Sequence, residues 1–156
     1  MTPGLKIRPA AAADVPAMVT LIRALAEYER AAPGAVSLTE DLLREALFGA
    51  RPALEALVAA GETEIAGYAL FFHNFSSWRG RRGLFLEDLF VRPELRGRGI
   101  GKALFVELTR LARERGCARM EWIVVDWNSP AIGFYQSLGA KAVEGWTLYR
   151  VDVPPA

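Results

Sequence analysis

The stretch LFLEDLFV, residues 84–91, is apolar at almost every position. It is stopped by Pro93 and followed at once by RGRGIGKAL, residues 96–104. An apolar run of that length ended by a proline reads as a strand. Ile100, Leu104, Leu108 and Leu111 then share one side of a helix predicted over 100–115, which closes at Gly116. RMEWIVVD, residues 119–126, reads as another strand. A strand, a glycine-rich turn, an amphipathic helix and a second strand argue for a mixed α/β sheet.

The remaining segments fit that frame. KIRPA reads as a first short strand, and Asp14 as the N-cap of a helix with Pro16 in its first turn. Val15, Met18, Val19, Ile22, Leu25 and Ala26 give that helix one apolar face. AAPGAVS breaks it. SLTEDLLREALFG predicts a second helix, with a capping box from Ser37 to Glu40 and a stop at Gly49. Residues 54–75 read as a hairpin turning near Gly61, and SSWRGRRG, residues 76–83, as a polar loop. NSPAIGFYQSLGA is a short helix capped by Asn128 or Ser129, and WTLYRV, residues 146–151, is a last strand. No repeat or low-complexity linker interrupts the chain, so one domain over 1–156 is expected.

Composition removes several functions. The chain is 52% hydrophobic and 24% charged with a net charge of +1, which disfavours disorder and gives no bulk case for nucleic-acid binding. One histidine, His73, leaves no His/Cys cluster for a metal and no Ser/His or Cys/His pair. One cysteine, Cys117, cannot form an internal disulfide, which points to a reducing cytoplasmic setting. The first residues hold only a short alanine run ended by Asp14, so no signal peptide is expected. No apolar run is long enough to span a bilayer. Charge is segregated, however. Residues 27–64 carry eight acids and three bases, whereas 92–119 carry eight bases and three acids. Either these are solvated helices of opposite sign, or one region meets a cation and the other an anion.

The turn at 96–102 sharpens the second reading. A glycine-rich bend opening a helix exposes main-chain N–H groups without internal acceptors, at the positive end of the helix dipole. A Walker loop would need glycine at Arg96 and Ser or Thr at Ala103. A dinucleotide fingerprint would need glycine at Lys102. Neither matches.

What remains is Arg-x-x-Gly-x-Gly at 96–101, with LEDLFVRPELRGRGIGKAL and then VDWNSPAIGFYQSLGA in order around it. Together these resemble the GNAT superfamily of acetyl-CoA-dependent N-acetyltransferases, and within it the diamine (spermidine/spermine) and thialysine branch. LAEYE and EGWTLYR extend the likeness from IRPA to Tyr149. The resemblance implies a central mixed, mostly antiparallel twisted sheet of about six to seven strands with about four helices. It also implies acetyl-CoA as co-substrate, no metal, a homodimer, and no nucleic-acid or membrane partner.

Residue by residue, the resemblance assigns Arg96, Gly97, Arg98, Gly99, Ile100, Gly101 and Lys102 to the cofactor pyrophosphate loop. It assigns the backbone of Leu89, Phe90 and Val91 to the pantetheine arm, and Asn128, Ser129, Pro130 and Ala131 to the cofactor. It casts Glu87 as the group assisting amine deprotonation and Tyr135 as the acid that protonates the leaving thiolate. Strand alternation puts Glu87 with Phe85, Leu89 and Val91, and Asp88 with Leu86 and Phe90. A carboxylate in such apolar surroundings either closes a salt bridge or, with its pKa raised, accepts a proton. Tyr135 stands two helical turns beyond Asn128 and on the same face; its ring either packs or serves as that acid.

For the acceptor, the family offers Tyr28, Glu29, Glu87, Glu121, Trp122, Ile123 and Glu144. Trp78 and Trp146 are further candidates, either as walls for a cation or as packing residues. The chain departs from the polyamine enzymes at two places. RAAP follows Glu29 where they carry further acids, and Ser76 stands where they place an aspartate. A small lysine-like or diamine acceptor is therefore expected. The alternatives are another acceptor (an amino acid, an antibiotic or a protein N-terminus) and a CoA-binding sensor without turnover.

Overall fold

Successive residues of one short strand show how the larger part of the molecule is built. Across Glu55–Ala60 (β2), Leu57 and Ala59 enter one apolar cluster while Ala56 and Val58 enter another. Side chains alternate across a strand, so burial on both sides requires a cover on each face of the sheet. The computed structural model describes residues 4–154. It divides into two compact units, Met1–Ile123 and Val124–Ala156. The expectation for the chain's first residues, like the ends of the expected 1–156 domain, falls partly outside the described residues.

In the first unit, Lys6–Pro9 (β1), β2, Ile65–Ser76 (β3), Arg81–Val91 (β4) and Met120–Glu121 (β5) form one sheet in the order β1-β2-β3-β4-β5. Its first three pairings are antiparallel, and β4 with β5 is parallel. A parallel pair needs a crossover, which Ile100–Glu114 (α3) supplies. Ile100, Leu104, Leu108 and Ala112 of α3 pack with Leu57, Phe71, Leu84 and Leu86. On the opposite face lie Val15–Tyr28 (α1) and Glu40–Phe48 (α2). There Met18, Leu21, Leu43 and Leu47 meet Val58, Tyr68, Leu70 and Phe90. The second unit holds Ser129–Ser137 (α4).

The mixed α/β class stands, with corrections at the boundaries. Five strands form among the described residues rather than six to seven. RMEWIVVD pairs only at Met120–Glu121, and WTLYRV forms no strand. β-propensity makes residues suited to a ladder, but only a partner strand completes one. The polar loop shrinks to residues 77–80 because Arg81 to Gly83 pair with β3. Ser76, at the end of β3, is buried, and its Oγ accepts from the N–H of Arg79 at 3.3 Å, closing the turn. The cap of α2 is Thr39, whose Oγ1 accepts from Leu42 N–H at 3.2 Å, and not Ser37.

Asp14 precedes α1 as expected but makes no cap bond to it. Its carboxylate instead accepts from the two terminal guanidinium nitrogens of Arg8, at 2.6 and 2.9 Å, and from Ala11 N–H at 2.7 Å. The Arg8 bond holds the Asp14 carboxyl below the usual range, and burial opposes it. A depressed folded-state pKa contributes stability above the unfolded value of 3.8, and that contribution is lost as pH falls through the folded value. Asp14→Asn is therefore expected to lower the unfolding free energy by about 1–3 kcal/mol at pH 7. In urea denaturation the deficit should shrink on acidification below about pH 4. A deficit independent of pH would show that the carboxylate charge is not what holds β1 to α1.

Candidate active site

The turn leading into α3 behaves as its composition requires. Gly97 and Gly99 take left-handed backbone angles, φ +75° and +81°, which residues with a Cβ rarely adopt. Gly99 is the N-cap of α3 and has no side chain to satisfy the helix end. The first helical bond of the turn runs from Ala103 N–H to Gly99 O, at 2.9 Å. Among the described residues no acceptor meets the N–H groups of Gly99, Ile100, Gly101 and Lys102. Those groups, the dipole end of a helix of 15 residues, and the exposed side chains of Arg98 and Lys102 together make a seat for an anion.

β4 delivers the chain to that turn, and it does so with a slip. Leu70 pairs with Asp88 but Phe71 pairs with Leu86, so Glu87 is an extra residue in the ladder. Such a bulge resets the alternation of every residue beyond it. Leu84 and Leu86 face α3, and so do Leu89 and Val91, whereas Phe90 faces α1 and α2. The expected grouping of Asp88 with both Leu86 and Phe90 is thereby corrected. Glu87 stands exposed at the bulge, and the carboxyl lying in apolar surroundings is its neighbour.

Asp88 accepts from the hydroxyl of Tyr68, at 3.2 Å, and Tyr68 is completely buried on β3. Burial first, then the charge of Glu87, pushes Asp88 up to about 6. The Tyr68 bond offsets part of that rise, and Glu29 adds to it. Burial also raises Glu29, the residue that caps the C-terminal end of α1. Three acids from two elements thus act on one region. Tyr68 and the partial burial of Asp88 escaped the sequence reading. Two adjacent acids in an apolar strand were the available signal, and the bulge that separates their environments was not.

Tyr28, the last residue of α1, comes to the same region: the guanidinium carbon of Arg96 lies 4.6 Å from its ring centre and 5.3 Å from that of Phe90. Other candidates of the first unit lie elsewhere in it. Trp78, 88% exposed, sits in the turn between β3 and β4, with the strand from Arg81 to Glu87, about 20 Å long, between them. Glu121 pairs with Arg119 at 2.9 Å and accepts from Asn74 at 3.2 Å. Trp122 meets Phe105 edge to face at 5.4 Å, and Ile123 is exposed. In the second unit, Asn128 caps α4 by accepting from Ala131 N–H at 3.3 Å, which aligns Ser129 and Pro130 in the first turn. Tyr135 meets Phe134 at 5.2 Å, and Glu144 and Trp146 are exposed. No group of three or more His, Cys, Asp or Glu suited to a metal occurs among the described residues.

The model of the acetyltransferase (GNAT) family matches residues 21–140. The chain belongs to the GNAT acetyltransferase family. A thialysine N-epsilon-acetyltransferase of Bos taurus is 37% identical over 157 residues, covering 94% of this chain and 91% of that protein. An L-ornithine N5-acetyltransferase of Arabidopsis thaliana is 41% identical over 87 residues, 56% of this chain and 38% of the relative. A solved aminoglycoside acetyltransferase from a soil metagenomic sample shares the fold, with TM-score 0.79 and 21% identity over 98% of this chain and 99% of that one. This GNAT chain is accordingly an N-acetyltransferase, of a family that uses acetyl-CoA as co-substrate. No helix among its described residues is long and apolar enough to cross a membrane.

In this GNAT domain the elevated Asp88 has a measurable consequence. A carboxyl raised from 3.8 to about 6 keeps its proton in the folded state where the unfolded chain has released it, so it lowers stability as pH rises through that interval. Asp88→Asn should remove the effect. The variant's unfolding free energy relative to the parent should climb by about 2–3 kcal/mol between pH 4 and pH 7. Urea titrations at each pH measure it, and a flat difference would mean that Asp88 ionises freely in the folded protein.

Proposed function

We propose that this enzyme transfers an acetyl group from acetyl-CoA to a primary amine of a small cationic acceptor, lysine-like or a diamine, by direct attack in a ternary complex. The observation that carries the reading is the row of N–H groups from Gly99 to Lys102 without acceptors, open on a turn that needs glycine. A diphosphate is the anion that this arrangement suits. Leu89 to Val91 would hold the pantetheine arm, and Asn128 to Ala131 the cofactor.

The acceptor is chosen by charge. Glu29, Glu87 and Asp88 make one end of the site anionic, in keeping with a cationic amine, and relatives named for thialysine and ornithine agree with this. A lysine-like amine has a pKa near 10.4, so at pH 7 only about one in 2,500 is neutral, and deprotonation costs about 4.6 kcal/mol. Glu87 takes that proton, directly or through water. The freed lone pair attacks the thioester carbonyl carbon, the carbon–sulfur bond breaks, and Tyr135 gives its hydroxyl proton to the departing sulfur. One family model runs across both units, which supports a single catalytic domain. A cytoplasmic homodimer completes the proposal.

Two variants and one survey test it. Gly99→Val forces a β-branched residue to φ near +81° and should weaken CoA binding by about tenfold or more in calorimetry. Undiminished affinity would remove the turn from the cofactor site. Tyr135→Phe should lower kcat by about 100-fold or more while leaving CoA affinity within about twofold; an unchanged rate would exclude Tyr135 as the acid. Thiol release from acetyl-CoA should be fastest with thialysine, lysine or diamines in a panel that also holds spermidine and aminoglycosides. Preference for an aminoglycoside would overturn the acceptor class.

A further inference from the structure

The three basic side chains of the turn do not share one environment. Arg98 and Lys102 extend from it into solvent, and among the described residues the Arg98 guanidinium makes only a long contact, to Glu94 O at 3.4 Å. Arg96 folds back across the end of β4. Its Nε donates to Val91 O at 3.0 Å, and its guanidinium lies over the rings of both Phe90 and Tyr28. These contacts join three segments: the turn, the last residues of β4, and the C-terminal end of α1, where Glu29 follows directly.

We propose that Arg96 is a positioning residue, a brace that ties the pyrophosphate turn to the acceptor-binding end of α1, and not a phosphate ligand. The inference rests on the functional reading above and deepens it. A guanidinium is planar, weakly hydrated and able to stack on aromatic faces while its edge donates to a carbonyl. An ammonium is a compact point charge that cannot do both. Swinging Arg96 towards a phosphate would break the Val91 bond and uncover both rings, whereas Arg98 and Lys102 supply positive charge without such loss. An anion held by the Gly99–Lys102 amides orders the turn that carries Arg96. Arg96 then holds Tyr28, and with it Glu29, in place for the amine. Cofactor and amine therefore bind with positive coupling.

The test separates charge from shape. Arg96→Lys keeps the charge and loses the plane; Arg96→Met loses both. In both variants CoA affinity by calorimetry should stay within about threefold of the parent, while KM for the amine rises about five- to tenfold and kcat stays within about twofold. Amine affinity of the parent should increase when CoA is bound, and that increase should disappear in both variants. Tyr28→Leu should raise amine KM similarly, and the double variant with Arg96→Lys should be no worse than the more impaired single one, because both remove the same contact. If Arg96→Met loses CoA affinity by about tenfold while Arg96→Lys retains it, Arg96 is a phosphate ligand and the proposal is overturned. Unchanged amine KM in the variants, or additive effects with Tyr28→Leu, would overturn it equally. Failure of the parent itself to bind CoA or turn over any amine is a distinct result: it removes the functional reading and this inference with it.

Discussion

One extra residue in a β-ladder decides the character of this site. β3 and β4 are the longest strands in the sheet, and their pairing slips by one at Glu87. Before the slip, Leu84 and Leu86 face α3; after it, Leu89 and Val91 do, and Asp88 and Phe90 turn to the other side. Without the slip, strict alternation would carry Asp88 to the face of Leu86. With it, Asp88 reaches Tyr68, Phe90 reaches the α1 face, and Arg96 finds two aromatic rings to cover. The bulge also leaves Glu87 exposed beside a half-buried acid. Two adjacent carboxyls thus acquire different surroundings from a single backbone irregularity.

The charges around β4 are sorted by the same geometry. On leaving the strand, the chain enters a turn with free N–H groups and outward-facing Arg98 and Lys102. Near the bulge it passes Glu29, Glu87 and Asp88. Basic and acidic groups are therefore placed within a few residues of each other along one strand. The proposed acetyl transfer to a cationic amine would use such a separation, since one partner brings a diphosphate and the other an ammonium.

Legibility in the sequence followed the range of the physics involved. The glycine turn was readable because positive φ and exposed N–H groups are local demands written in local residue types. The apolar faces of α1 and α3 were readable from helical spacing, although Leu21 of α1 is fully buried and lay outside the pattern. Asp14 looked like a cap because it precedes a helix, yet an arginine six residues away holds it instead. WTLYRV has the residue types of a strand but forms none in the described chain, because pairing depends on another segment.

The amino-acid sequence by itself determined the alternation of strands and helices, the anion-seeking turn and the family, because each depends on residues close together in the chain. Tertiary structure alone decided which of the adjacent acids Glu87 and Asp88 turns inward, which arginine lies on aromatic rings, and where Asp14 finds its partner. Those outcomes follow from register and packing between segments brought together only by folding. A one-residue change in register there exchanges the two faces of the strand.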